Sequence, residues 1–213
     1  MDRRRFLKVI GASGAVAFLD PTGMLLGKAI AAPGYFGLHP SIEARPEAVF
    51  IKRTHVPVKT DTEAKRNEGL ALAKEIFVLQ DTPGIPLSHR IVVKPNLTCS
   101  SNPNFTLESG MGIVTDADFV EGVIEGMKEL GLKGEQFFLI EVNCSADWQE
   151  RGYTQMAQRT GASLRELDRP VTQLKEGADI TWIDCPDGVV FKRIAYLAPV
   201  NQPDTWLLNI AKF

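Results

Sequence analysis

The run of residues 91–93 (Ile-Val-Val) is the sequence feature that most constrains the fold. Three consecutive branched apolar residues predict a strand buried on both faces, because a half-exposed strand would alternate apolar and polar residues. Strands of this kind belong to parallel sheets that helices cover. The run stops at Lys94, Pro95 and Asn96. A core strand is therefore predicted to deliver a cation and an amide to one edge of its sheet.

Strand and helix patterns alternate along the chain, which predicts an α/β fold with a mostly parallel sheet and helices on both faces. The turn signal Asp187-Gly188 favours an antiparallel hairpin near the C-terminus. Thr115-x-x-Asp118 resembles a capping box at the start of an amphipathic helix. Strands are predicted over 48–54, 91–93, 136–142, 163–167, 180–183, 189–194 and 206–210, and helices from Thr60, from Thr115 and over 148–160.

Residues 1–31 have the order of an export signal, with a basic start, an apolar middle and the small-residue exit Ala29-Ile30-Ala31. The motif Arg3-Arg4-x-Phe6-Leu7-Lys8 resembles the twin-arginine signal, which a receptor reads. The twin-arginine translocation machinery is thus a predicted partner, and the predicted location is periplasmic or otherwise extracytoplasmic. Asp20-Pro21 interrupts the apolar middle, so an uncleaved anchor stays an alternative to cleavage. We expect a linker over 32–46 and one α/β domain over 47–213.

Composition argues against two classes of function. The formal net charge is −2, which gives no electrostatic reason to expect nucleic-acid binding. No apolar run reaches the roughly 18 residues that a membrane-spanning helix needs. At 44% hydrophobic and 23% charged residues, the chain has the composition of a soluble globular protein.

Polar side chains follow several of the predicted strands, and ligands of open α/β sheets bind beyond the carboxyl ends of the strands. Lys94 can hold an anion there, or it can simply extend its ammonium to solvent. Glu141 can act as a base or metal ligand, or it can form a salt bridge with Lys94 or Arg151. Thr115 and Asp116 are better explained as helix caps than as ligands, although a helix start that faces the strand ends also suits an anion. The candidate ligand-binding residues are Lys94, Asn96, Thr115, Glu141, Asn143 and Lys212.

The three cysteines, Cys99, Cys144 and Cys185, form no C-x-x-C pair, so the usual zinc and iron–sulfur spacings are absent. Cys99 and Cys144 follow candidate strands and are weak candidates for metal binding. A disulfide and two inert thiols are the other interpretations of this pair. No G-x-S-x-G motif supports serine hydrolase chemistry.

The order of several motifs resembles a known family. Residues 92–97 (Val-Val-Lys-Pro-Asn-Leu) are followed by Thr115-Asp116 at a helix start, by Glu141-Val142-Asn143, and by a Gly-Tyr-x-x-Met-Ala pattern over 152–157 that continues to Asp168. Together they are similar to domain-of-unknown-function family 362, the KPN-type domain, over roughly residues 47–213. The family usually continues with a Pro-Lys-x-Lys-Thr-His pattern, of which residues 209–213 reach only the start, so we expect a truncated and incomplete domain.

The resemblance implies an association with ferredoxin-like iron–sulfur segments, and hence a metal or iron–sulfur cofactor, but no settled activity. The sequence therefore predicts an exported protein that binds an anionic or metal-containing ligand at the strand ends. The alternatives are a non-catalytic binding or assembly protein and an incomplete fragment without function. The sequence identifies neither a substrate nor a reaction.

Overall fold

A four-stranded parallel sheet is the centre of the computed structural model, which describes residues 18–19, 25–26, 34–81, 84–97, 114–142, 145–167 and 171–211. Its strand order is β11-β6-β7-β8, so the last strand lies beside the buried run of the sequence. The prediction of an α/β fold with a parallel sheet is confirmed. These four strands are β6 (Arg90–Pro95), β7 (Phe137–Val142), β8 (Ser163–Leu167) and β11 (Thr205–Ile210).

Five α-helices and three small antiparallel sheets complete the described part of the chain. The helices are α1 (Pro40–Glu43), α2 (Thr62–Ile76), α3 (Ala117–Lys128), α4 (Ser145–Glu150) and α5 (Tyr153–Thr160), and short 3-10 turns cover Gly134–Gln136 and Val171–Gln173. The antiparallel sheets contain β1 (Phe18–Leu19) with β2 (Leu25–Leu26), β3 (Tyr35–Leu38) between β4 (Phe77–Gln80) and β5 (Ile85–Pro86), and β9 (Ile180–Asp184) with β10 (Arg193–Leu197).

The main core lies on one face of the parallel sheet. In β6, Ile91 and Val93 point to this face, and the strand register places Phe137 and Leu139 of β7 beside them. These residues share a buried cluster with apolar side chains of α3, including Ile124. On the opposite face Val92 is fully buried, whereas Leu207 beside it is half-exposed. The second helical layer expected on that face stays a prediction.

The backbones of helices α2 and α3 are in direct contact, because glycines at the contact points have no side chain between them. A Cβ added to Gly122 would lie 2.0 Å from the carbonyl oxygen of Arg66, and one added to Gly69 would lie 2.1 Å from that of Phe119. Since real Cβ atoms do not come this close to backbone oxygens, no larger residue fits at these positions without moving a helix. The two glycines therefore fix the position of α2 against α3.

Several predicted elements have different boundaries in the structure. The predicted strand over 48–54 is wrong, because these residues have no regular structure and Ile51 is 92% exposed. The interval expected to be a linker contains strand β3 instead, and Phe36 on this strand is fully buried. The helix predicted over 148–160 is divided into α4 and α5 at Gly152, whose φ of +80° is left-handed and favours glycine.

The C-terminal hairpin is confirmed, but its second strand is β10 rather than residues 189–194. Val189, Val190 and Phe191 are exposed in the connecting loop. Because β9 pairs only with β10 among the described strands, Asp184 and Cys185 do not lie at the strand ends of the parallel sheet. Cys185 is a free thiol.

Replacement of Gly122 by alanine tests the close contact between α2 and α3. In an ordinary helix this substitution stabilises by about 1 kcal/mol. Here we expect it to lower the free energy of unfolding by about 1–3 kcal/mol, because the new methyl group overpacks against the Arg66 carbonyl. Urea unfolding gives the measurement, with Gly34→Ala as the control because no atom lies within 4 Å of a Cβ there. A Gly122→Ala variant as stable as the wild type would contradict the contact.

Candidate functional site

Three parallel strands end side by side, and we call this region the carboxyl edge: the C-terminal ends of β6, β7 and β11 with the loop that follows each. The register aligns Lys94 with Asn209 and Pro95 with Ile210, so β6 and β11 end together. Lys94, Asn96 and Glu141 lie at this edge, as the sequence predicted. Thr115, which immediately precedes α3, joins them through the hydrogen bonds described below.

Lys94 and Glu141 form an ion pair between neighbouring strand ends. The Lys94 Nζ lies 2.8 Å from Glu141 Oε2 and also donates to the carbonyl oxygen of Pro95 at 2.9 Å. The same carboxylate oxygen accepts a hydrogen bond from the Leu97 backbone N–H at 3.1 Å. Glu141 is only 7% exposed, whereas the Lys94 side chain is 41% exposed. The buried carboxylate thus anchors the exit of β6 and directs a partly exposed ammonium along the edge.

Thr115 connects three segments of the carboxyl edge. Its hydroxyl accepts a hydrogen bond from the Asn96 N–H at 3.0 Å and donates to the Ile210 carbonyl at 2.8 Å. Its backbone N–H donates to the Asn96 carbonyl, and its own carbonyl accepts from the buried hydroxyl of Tyr153. Burial raises the pKa of Tyr153 well above its ordinary value, with a further contribution from Asp116, so its hydroxyl keeps its proton. Thr115 is therefore a structural junction at this edge.

The predicted capping box at the start of α3 is wrong. The N-cap residue is Asp116, and its side chain makes no capping hydrogen bond. Asp116 Oδ1 instead lies 2.9 Å from the Nζ of Lys65 on α2. The Thr115 hydroxyl is occupied at the strand ends. As a result, neither side chain caps the first turn of α3, which is where the N–H groups of a helix lack intrahelical acceptors.

A cavity of about 190 Å³, which we call the small cavity, lies at this helix start. Lys65 is one of its lining residues although it is only 7% exposed. Asp118 contributes a carboxyl whose pKa burial raises above the ordinary 3.8, since the opposing effect of Lys65 is smaller. The lining residues are Thr60, Thr62, Lys65, residues 114–118, Glu150 and Arg151.

A second cavity, of about 1340 Å³, adjoins the first and is called the large cavity. It shares Lys65, Thr115 and Asp116 with the small cavity. Its remaining wall is mainly apolar and comes from the strap (residues 49–59), from one side of α2 and from the end of β11. Neither cavity is lined by Lys94, Asn96 or Glu141.

A further buried carboxylate, that of Glu121 on α3, pairs with arginines of two other helices. Glu121 accepts hydrogen bonds from the Arg159 guanidinium, including one of 3.0 Å from Nε, and Arg66 lies 3.4 Å away. Burial alone would raise the pKa of Glu121, but the hydrogen bond and charge of Arg159, with Arg66, outweigh it and lower the pKa. This carboxylate is therefore a structural anchor that joins α2, α3 and α5.

Four predicted site residues fall outside the described part of the chain: Asn143, Lys212, Cys99 and Cys144. Among the residues that the structure does describe, no group of three or more His, Cys, Asp or Glu side chains is arranged to hold a metal ion. Because Cys99 and Cys144 are not among those residues, the metal or cluster that the family resemblance implies stays a prediction. Within the same residues, no helix is long and apolar enough to cross a membrane.

Lys65 is the main site residue that sequence reasoning missed. It lies on the α2 stripe that continues through Gly69 and Ala73, both of which are buried against α3. Residues spaced by four lie on the same face of a helix, and on this face the lysine is followed by two small residues. A cation on a face of small residues is the sequence signal that identifies Lys65 as unusual. Its partner Asp116 is a helix-cap candidate in the sequence, but in the structure its side chain pairs with Lys65 and makes no capping bond.

Fold and site together define an α/β protein with a polar carboxyl edge and two adjoining cavities. The family model described as Domain of unknown function (DUF362) matches residues 91–213, which is more than half of the chain, and the protein belongs to this family. No match was found among curated proteins or among solved structures. The match begins at the buried run of β6, a narrower range than the expected 47–213. It contains Lys94, Glu141 and α3, whereas Lys65 precedes it.

The substitution Glu141→Gln tests whether the buried carboxylate anchors the exit of β6. We expect the free energy of unfolding to fall by about 1–3 kcal/mol, because two donors lose a charged acceptor while the side-chain volume is kept. The partly exposed Lys94 keeps this cost at the low end. Glu125→Gln on α3 is the control, because its ion pair with Lys128 is partly exposed and should contribute less than about 0.5 kcal/mol. Equal losses in urea unfolding for the two variants would refute the anchoring role.

Proposed function

We propose that this protein is an exported binding protein for a small anion, which it holds at the carboxyl edge of its parallel sheet. The observation that carries the proposal is the small cavity at the start of α3, a helix whose N-cap side chain makes no capping bond. Helix starts present N–H donors and a positive dipole end, and they bind phosphate and carboxylate groups when nothing else occupies them. A volume of about 190 Å³ suits a group of this size.

Lys65 supplies the second part of the proposed anion site. An ammonium has three N–H donors, and among the described residues Lys65 contacts one acceptor, Asp116. A buried ammonium with one acceptor is costly, because its remaining donors have lost solvent. The oxygen atoms of a bound anion would accept these hydrogen bonds. Lys65 thus points to a ligand that is rich in acceptor oxygens.

The carboxylates of the small cavity limit how strongly an anion binds. Asp116 balances Lys65, and Asp118 adds a carboxyl whose pKa burial already raises. A bound anion would raise that pKa further, because like charges disfavour ionisation. Binding therefore depends on directed N–H donors rather than on a net positive field. We expect affinity to increase as pH falls and Asp118 takes up its proton.

Lys94 is the second cation of the carboxyl edge, and it remains a candidate ligand-binding residue. Its contacts with described residues use two of its three donors, on Pro95 and Glu141. In this proposal Glu141 positions Lys94 and does not contact the ligand.

Equilibrium dialysis with radiolabelled inorganic phosphate tests the anion site. Lys65→Met removes the donors but keeps the apolar stem, and we expect at least a tenfold loss of affinity, because one charge-assisted hydrogen bond contributes about 1.5–3 kcal/mol. Lys74→Met is the matched control, since Lys74 is on the same helix and pairs with Glu129 at the surface. Unchanged affinity in Lys65→Met, or equal losses in both variants, would contradict the proposal.

Export by the twin-arginine route is the second part of the proposal, and the motif at residues 3–8 supports it. The full chain can be produced in a bacterium that has this route and then followed by cell fractionation. The double variant Arg3→Lys, Arg4→Lys keeps the charge, so we expect it to stay in the cytoplasm while the wild type is exported. Arg5→Lys, outside the arginine pair, should be exported normally. Export of the double variant at the wild-type level would exclude this route.

A further inference from the structure

The two adjoining cavities differ in chemistry, and their meeting point is the anion site. The small cavity is lined largely by polar residues, whereas the large cavity has apolar side chains from α2, from α3 and from the strap. Lys65, Thr115 and Asp116 belong to both walls. A ligand whose charged group lies beside Lys65 therefore has a continuous apolar surface next to it.

The strap includes apolar side chains that the described chain leaves largely exposed. Val49 is 85% exposed and Ile51 is 92% exposed, although both lie on the wall of the large cavity. The strap has no regular secondary structure, and its contacts with α2 include a 2.7 Å ion pair between Lys52 and Glu75. The His55 N–H also donates to Glu68 at 2.8 Å. An apolar body placed between strap and α2 would remove several of these side chains from water.

The helical wall of the large cavity offers a matching apolar surface. Leu72 and Ile76 are one turn apart on α2, and Phe119 lies in the first turn of α3. At about 1340 Å³ the cavity is larger than a phosphate or a small carboxylate could fill. Ligand pockets of roughly 300–1,000 Å³ already enclose drug-sized molecules. The volume and the lining both indicate a ligand with a long apolar part.

We infer that the ligand is an amphiphile, a single molecule with an anionic head such as a carboxylate or phosphate and an extended apolar tail. The head lies in the small cavity against Lys65 and the first turn of α3. The tail lies in the large cavity between the strap and α2. This inference rests on the proposed anion site, and it adds the chemical class of the molecule that carries the anion.

Charge and polarity set the direction of the ligand. The donors that Lys65 and the start of α3 present are all at the inner end, where the cavities meet. The lysines farther along the strap, Lys52 and Lys59, stand on the wall of the large cavity, and Lys52 is already paired with Glu75. A tail pointing outward along α2 keeps its apolar surface against Leu72 and Ile76. The opposite orientation would place the anionic head against apolar side chains.

The experiment uses the full chain and a fluorescent long-chain polyene carboxylate, below its micelle concentration, whose emission rises in apolar surroundings. Inorganic phosphate is titrated as a competitor. We expect the carboxylate to bind and phosphate to displace it, since both occupy the site beside Lys65. The Lys65→Met variant should lose at least tenfold in affinity for the carboxylate but much less for its uncharged methyl ester.

Two pairs of variants locate the tail. Leu72→Trp fills the large cavity from α2 and should weaken carboxylate binding at least tenfold while phosphate binding is kept, which also shows that the variant is folded. Leu207→Trp, at a half-exposed position that lines neither cavity, should have no effect. Val58→Glu adds a like charge to the exposed strap and should weaken binding, whereas Val189→Glu in the hairpin loop should not.

The outcomes separate this inference from the proposed anion site. If phosphate binds and the carboxylate probe does not, the amphiphile is excluded and the anion site stands. If the probe binds and phosphate does not displace it, the head is not in the small cavity, and the inference is overturned. Equal effects of Leu72→Trp and Leu207→Trp, or of the two glutamate variants, would place the tail elsewhere and also overturn it. If neither ligand binds, both proposals fail.

Discussion

The backbone contact between α2 and α3 determines the geometry of the whole site. Gly69 and Gly122 let the helices approach until carbonyl oxygens of one helix occupy the space of the missing side chains of the other. Lys65 lies one turn before Gly69, so the same contact places its ammonium beside Asp116 at the start of α3. A single methyl group at either glycine would separate these charges. The position of the proposed anion site thus follows from a steric constraint on two helices.

The cost of burying Lys65 argues that it serves more than stability. An ion pair in the interior gains little over an apolar pair of the same volume, because both charges lose their hydration. Glu121 is an example of a buried charge with a purely structural role. It is paired with two arginines, and the hydrogen bond and charge of Arg159, with the charge of Arg66, lower its pKa. Lys65 has one acceptor among the described residues, and burial raises the pKa of neighbouring Asp118. Incompletely paired titratable groups that face a cavity are typical of binding sites.

Local patterns predicted the parts of the fold that depend on local physics. The run at 91–93 predicted a buried parallel strand, which the structure contains, and β8 was predicted at its observed boundaries. Both predictions rest on the order of apolar and polar side chains, which indicates the buried faces of a strand. The strand predicted over 48–54 is wrong for the opposite reason: the apolar side chains there have strand propensity, but none of the described strands pairs with this segment. Thr115 and Asp116 also fitted a helix cap locally. Their actual partners, Ile210 and Lys65, are distant in sequence, and a single chain does not reveal such contacts.

The two carboxylates of the site differ in what they can do chemically. Glu141 is buried, and its Oε2 accepts hydrogen bonds from both Leu97 and Lys94, so this oxygen holds the end of β6. Asp118 faces the small cavity, and burial raises its pKa toward the range where a carboxyl group can exchange protons. A general base at Glu141, one of the roles that the sequence allowed, is therefore the weaker interpretation. If ligand binding involves proton transfer, Asp118 in the first turn of α3 is the group that exchanges the proton. The strand ends beside it then have a structural role.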